Sequence, residues 1–233
     1  MSRSIQAVFV ALCLVALVVG VVVLHMSHQH SFRTVEGIDV PNLKGVHEAY
    51  SVSKTTNGYH HLIINVSAER VPEVYLRLTH EVTEPAFFLM EVGTHEDVEK
   101  ELRKNDSDPF HKDVYYLDGI NREKGCAVFT KYEDLLVNDG MVMFGFGAHE
   151  GKDEVFVGAY KIIEIYADNP DKYLAALTEL GIGKEDRVKT VWQTFSQTSP
   201  GRRNALRGRD KTIWDMVEEL KPEGLYLAER RED

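Results

Sequence analysis

Cysteine is almost missing from this chain, and so is any surplus of positive charge. Two cysteines occur in 233 residues. Cys13 lies in the first apolar run and Cys126 is the only thiol beyond it, so the remainder has no pair with which to close an internal disulfide. It must hold itself together with a buried core. Lys and Arg number 27 against 37 Asp and Glu, a formal charge of −10. Leaving out residues 1–26, which hold Arg3 and no acid, takes that charge to −11. Nucleic-acid binding by a general basic face is thereby disfavoured. Low-complexity tracts and solenoid-length repeats are missing too. With 43% hydrophobic and 27% charged residues, the composition excludes disorder and collagen-like repeats. No histidine sits in HExxH and no serine in GxSxG. The glycine-rich stretch at 145–151 has no P-loop lysine and precedes a strand-like run, not a helix.

What is present begins with Ala7 to Leu24, eighteen residues with neither a charge nor an uncharged polar side chain. As a helix that run spans roughly 27 Å of hydrocarbon, and Ile5 and Met26 extend it. A cleaved signal peptide has a shorter apolar region and a small-residue cleavage site. Val18 and Gly20 are the best match to such a site, and cutting there leaves VVVLHM as the new end, so an uncleaved signal-anchor is the favoured reading. Val10, Ala11 and Leu12 before Cys13 make a poor lipobox. Arg3 and the amino group lie on one side of the run and Arg33 is the nearest such charge on the other, which points the N-terminus inward. The expected organisation is a transmembrane anchor over 1–26, a polar tether over 27–49 and one extracytoplasmic domain over 50–233. The bilayer is then contacted through residues 5–26.

Within the domain, residues 59–66 and 86–92 read as strands, and Val74, Leu76 and Leu78 alternate with polar neighbours as a third. Residues 114–117 and 126–130 read as strands around a turn at 118–125. Thr94 with Asp97, and Thr130 with Glu133, form capping-box patterns that open two short helices. A hairpin is expected from 141–146 to a long strand over 154–166, with a bulge at Gly158. Asn169, Pro170, Leu174, Leu177 and Gly181 delimit a third helix. Asp210 caps a fourth over 211–220, with Pro222 beyond its end. Hairpin-ordered strands with about four short helices predict an α+β fold built on a mostly antiparallel sheet.

Candidate chemistry is sparse. His25, His28 and His30 follow the apolar run and read as polar tether residues. His-Glu pairs occur at 47–48, 80–81, 95–96 and 149–150, the residue types of hydrolytic zinc sites, but their spacing builds no ligand set. Cys126 with His149 is the one thiol-imidazole combination, and Cys126 between Gly125 and Ala127 reads more simply as a small core residue. Asn65 and Asn105 head glycosylation sequons; only the second falls in an expected loop. Residues 199–211 carry Arg202, Arg203, Arg207, Arg209 and Lys211 against Asp210, with Trp192 and Phe195 close by in sequence. A basic loop beside aromatic rings suits a binding rim for a protein or a polyanion. The leading expectation is a membrane-tethered binding module with no cofactor, its site Trp192, Arg202, Arg203, Arg207 and Arg209. The alternatives are a membrane-anchored hydrolase using some of His80, His95, His149 and Glu150, with or without a metal, and a structural envelope component.

Overall fold

The computed structural model describes residues 31–233. The expected transmembrane helix over 5–26 and His25, His28 and His30 lie outside the described residues. Among those described, no helix is long and apolar enough to cross a membrane.

Ten strands are described: β1 (Ile38–Asp39), β2 (Ala49–Lys54), β3 (His60–Asn65), β4 (Ala86–Gly93), β5 (His111–Ile120), β6 (Met143–Ala148), β7 (Glu154–Val157), β8 (Ile163–Ala167), β9 (Arg202–Arg203) and β10 (Tyr226–Glu232). Eight of them form one sheet in the order β10-β5-β4-β6-β7-β8-β3-β2, every neighbour antiparallel. β1 and β9 pair separately. The six α-helices are α1 (Val71–Thr79), α2 (Glu96–Leu102), α3 (Arg122–Lys131), α4 (Glu133–Asn138), α5 (Asp171–Glu179) and α6 (Ile213–Leu220). The fold is therefore α+β with an antiparallel sheet, as expected, but with six α-helices among the described residues in place of about four.

Strand side chains alternate between faces, so register decides what each face presents. Phe88, Met90, Leu117, Phe144, Phe146, Val155, Ile165 and Leu62 all enter one core. Val74, Tyr75 and Leu78 of α1, Phe129 of α3, Leu136 of α4, Leu177 of α5 and Val217 of α6 meet them there. Tyr75 anchors this layer, its ring 4.7 Å from that of Phe129 and 4.9 Å from that of Phe144. Five helices thus lie against one face of the sheet, and the other face has none of them.

Several expected elements are corrected. Val74, Leu76 and Leu78 belong to helix α1, because Val71, Val74, Tyr75 and Leu78 share a helical stripe and Pro72 suits a first turn. Cys126 lies in helix α3, where the Asn121 side chain accepts from the Lys124 N–H at 2.8 Å as its cap. Gly125 disguises that helix, since a Cβ there would meet the Phe146 ring at 2.3 Å. The long strand over 154–166 is two strands, reversed through Tyr160 and Lys161 at φ 59° and 56°. The cap of α2 is His95 and that of α6 is Thr212, in place of Thr94 and Asp210. Residues 32–49, expected as part of a tether, lie in the compact unit Phe32–Asp233, with Val35 and Ile38 in the core.

Candidate functional site: the open face of the sheet

The face without these five α-helices is read directly from the strand register. One row runs Tyr226, Tyr116, Leu89, Gly145, Phe156, Glu164 across β10, β5, β4, β6, β7 and β8. The adjacent row runs Phe87, Gly147, Glu154, Tyr166, His61 across β4, β6, β7, β8 and β3. Both rows pass over the central strand β6 at a glycine. The reason is steric: a Cβ on Gly147 would lie 2.3 Å from the Phe87 ring, and one on Gly145 would lie 2.9 Å from that of Phe156. The two rings fold over the bare backbone of β6, so Phe87 and Phe156 floor the middle of the face.

Rings touch at both ends of the face. Phe87 is 5.3 Å from Tyr116 and 5.5 Å from His149, and His61 stacks on Tyr166 at 4.4 Å with 5° between planes. Tyr166 and Tyr226 remain 38% and 47% exposed, marking the two ends of the stripe. One corner of this face is covered: Ile63 packs with Val46, Ile162 and Val191, and the Asn65 amide donates to the His47 carbonyl at 2.8 Å. That burial also removes Asn65 as a glycosylation candidate.

Carboxylates stand among the rings. Glu91 is paired with Arg231 at 2.6 Å and Lys112 at 3.5 Å, and Glu164 meets His61 Nε2 at 2.7 Å. Asp118 accepts from the Tyr226 hydroxyl and lies 3.3 Å from His149 Nε2. Glu154 has no hydrogen-bond or ion-pair partner among the described residues. Burial, reinforced by the charge of Glu91, raises the Glu154 carboxyl above its ordinary pKa. Tyr116 is raised by burial and then by Glu154, Glu91 and Asp118, and Tyr166 by burial and then chiefly by Glu164. These shifts describe a partly desolvated face with a negative field and one carboxyl without a counter-charge.

The residues singled out from sequence lie elsewhere or at its margin. Trp192 is 50% exposed and packs on Tyr160 and Phe195, ring centroids 4.7 and 5.4 Å away. Arg209 is bound to Glu36 at 2.6 Å and to Asp134 at 2.7 Å, and Arg203 reaches Asp233 at 3.6 Å. Arg202 and Arg207 are exposed, with no ion pair among the described residues. Arg203 alone of the four reaches the open face, in a small depression shared with Glu91, Lys112 and Met143. His80 follows the end of α1, His95 lies against Trp214 at 5.3 Å, and His149 lies against Phe87. No group of three metal-ligating side chains converges among the described residues. Cys126 packs beside Tyr75, Thr79 and Phe146, and no hydrogen bond joins it to His149.

A second concavity of about 680 Å³ opens between α2 and the ends of β4 and β5, lined in part by Thr94, Glu99, Phe110, His111 and Met141. Its ordered feature is Glu99, which accepts from the His111 N–H at 2.6 Å and lies 3.2 Å from His111 Nδ1. Comparison with protein-family models, with curated proteins and with solved structures finds no match to this chain.

Proposed function

We propose that this protein is a membrane-tethered binding module that takes hold of another macromolecule on the open face of its sheet, with its domain on the extracytoplasmic side. The observation that carries the reading is the row of aromatic rings from Tyr226 to His61, built over two glycines and left without an α-helix across it. A soluble domain buries such rings unless something else covers them. Trp192, Arg202 and Arg207 then serve as a polar rim at the end of the face that Arg203 reaches, and a folded acidic domain behind the apolar run 5–26 suits the tether.

The test is cross-linked capture from native membranes with the full-length chain. Tyr166→Ser/Tyr226→Ser removes two exposed rings and is expected to lose the partner, while the Arg202→Ala/Arg207→Ala pair weakens capture less. A partner held equally by all three proteins would place binding elsewhere. Protection of the domain from external protease in intact cells would remove the extracytoplasmic assignment.

One observation favours a hydrolase as a second reading. His111, oriented by Glu99 in a cleft, is the arrangement of a general base acting on water. It replaces His80, His95, His149 and Glu150, which do not converge. His111→Ala abolishing turnover across a panel of ester and phosphoester substrates would establish it.

A further inference from the structure

We infer that the occupant of the open face is a cationic polypeptide segment, read by a Lys or preferably an Arg side chain that pairs with Glu154 between the Phe156 and Tyr166 rings. The inference rests on the binding reading above and adds the chemistry of the partner. Charge complementarity carries it. The face holds Glu91, Asp118, Glu154, Glu164 and Glu229 against Lys112 and Arg231, with Arg203 reaching its margin beside Asp233. Arg231 is shared by Glu91 and, at 3.7 Å, Glu229; Lys112 lies between Glu91 and Asp233, which also holds Arg203; His61 meets Glu164, and the Tyr226 hydroxyl meets Asp118. Glu154 is the carboxylate that remains without a donor, in the row where Gly147 and Tyr166 are its cross-strand neighbours.

The surroundings select the kind of cation. A metal ion needs several oxygen or nitrogen ligands at close range, and no such group forms among the described residues. Aromatic faces attract organic cations through their quadrupole, and guanidinium, being planar and weakly hydrated, gives up its water to such a wall more readily than ammonium. The stripe also has the length of a peptide. Six strand spacings separate β10 from β3, and at 4.8 Å each they span about 29 Å, the reach of roughly nine extended residues. A polyanion or nucleic acid meets repulsion over the same path.

The full chain in zwitterionic nanodiscs is titrated with capped octapeptides alternating Arg-Leu, Lys-Leu and Glu-Leu, and with a neutral hexasaccharide. The Arg peptide is expected to bind tightest, the Glu peptide not at all, with affinity falling as salt rises. Glu154→Gln, close to isosteric, is expected to weaken the Arg peptide at least tenfold at unchanged melting temperature, and Glu73→Gln on α1 to leave it unaltered. Equal binding by Glu154→Gln, or preference for the Glu peptide or the sugar, overturns the cationic partner while the face stands as a binding surface. No binding by any probe, together with native capture that ignores Tyr166→Ser/Tyr226→Ser, overturns the face itself.

Discussion

Lys161 is the residue whose surroundings contradict its chemistry most sharply. It is 4% exposed, sits at positive φ, and donates to the carbonyls of Leu136 and Val142, so it clasps the β7–β8 turn to the end of α4 and the start of β6. Burial pushes its ammonium down to about 7, with Arg203 adding to the effect and Asp139 opposing it. An unfolded chain holds that proton up to pH ~10.4, so between the two values the unfolded state binds more protons and stability rises with pH. Each pH unit in the window adds up to about 1.4 kcal/mol. Buried Tyr75 and Tyr173 are raised and act in the opposite sense once unfolded tyrosines ionise, near pH ~10. Denaturant unfolding between pH 6 and about 9.5 is therefore the measurement. Wild type is expected to gain stability from about pH 7 upward, and Lys161→Met to give a flatter profile at lower stability above pH 8, where the two carbonyls lack a donor. Parallel profiles for the two proteins would remove this account. Nothing in the sequence around Lys161 signals it: positive φ at a tyrosine and a lysine, with no glycine or asparagine, is imposed by tertiary packing.

At the scale of elements, local signals predicted what local chemistry controls. Gly181 ends α5 as expected, taking φ 70°, while the start lies one residue later than expected: Pro170 is the N-cap, and the Asn169 side chain accepts from the Asp171 N–H. β3 and β4 were legible from their β-branched and aromatic runs. α1 and α3 were not, because a short apolar alternation fits both periods and a helix glycine weakens the pattern. The site was hidden for a different reason. Phe87, Phe156 and Glu154 are visible as strand residues, but only the pairing of β4, β6 and β7 places them over two glycines on one face. β10 extends that face as an edge strand with every residue exposed, so its attachment rests on ion pairs as well as on its ladder with β5. Asp113 receives a bidentate contact from Arg230 at 2.6 and 2.8 Å and the Thr94 hydroxyl at 2.6 Å. Burial alone would raise its carboxyl, but the guanidinium and the hydroxyl outweigh it and hold the pKa below the usual range. The stabilisation is complete above the unfolded value of about 3.9 and is lost as pH falls through the lower folded one. Hydrogen exchange is expected to show residues 226–232 losing protection below pH ~4 before the central strands do. Asp113→Asn should lower that protection roughly tenfold or more already at neutral pH, the scale of a charge-assisted bond. Unchanged protection in the variant would mean that the ladder alone holds the edge.

For the whole molecule, the decisive boundary lies in the lead-in that composition alone assigns to a tether. Residues 32–49 are polar on average, yet Val35, Ile38 and Val46 are buried. The backbone at Gly37 forms a junction of three segments: its N–H donates to Asn138 at 2.8 Å, its carbonyl accepts from Asn204 at 2.8 Å, and the Gly140 N–H donates to Asn204 at 3.0 Å. A Cβ at Gly37 would lie 2.2 Å from the Gly140 nitrogen, so the close approach requires glycine on both sides. Removing this segment exposes the cavity left by three apolar side chains, worth about 1.5–3 kcal/mol each, and strands buried backbone groups at about 1–3 kcal/mol each. The total is comparable to the 5–15 kcal/mol that typically separates a folded domain from its unfolded chain. Deleting residues 1–31 is therefore expected to leave a domain with one cooperative thermal transition by circular dichroism, and deleting residues 1–49 to abolish that transition. If the shorter protein melted cooperatively within a few degrees of the longer one, the lead-in would be an ornament on a core complete without it. The loss expected instead makes β1, β9 and the Gly37 junction part of what the eight-stranded sheet needs in order to present its open face.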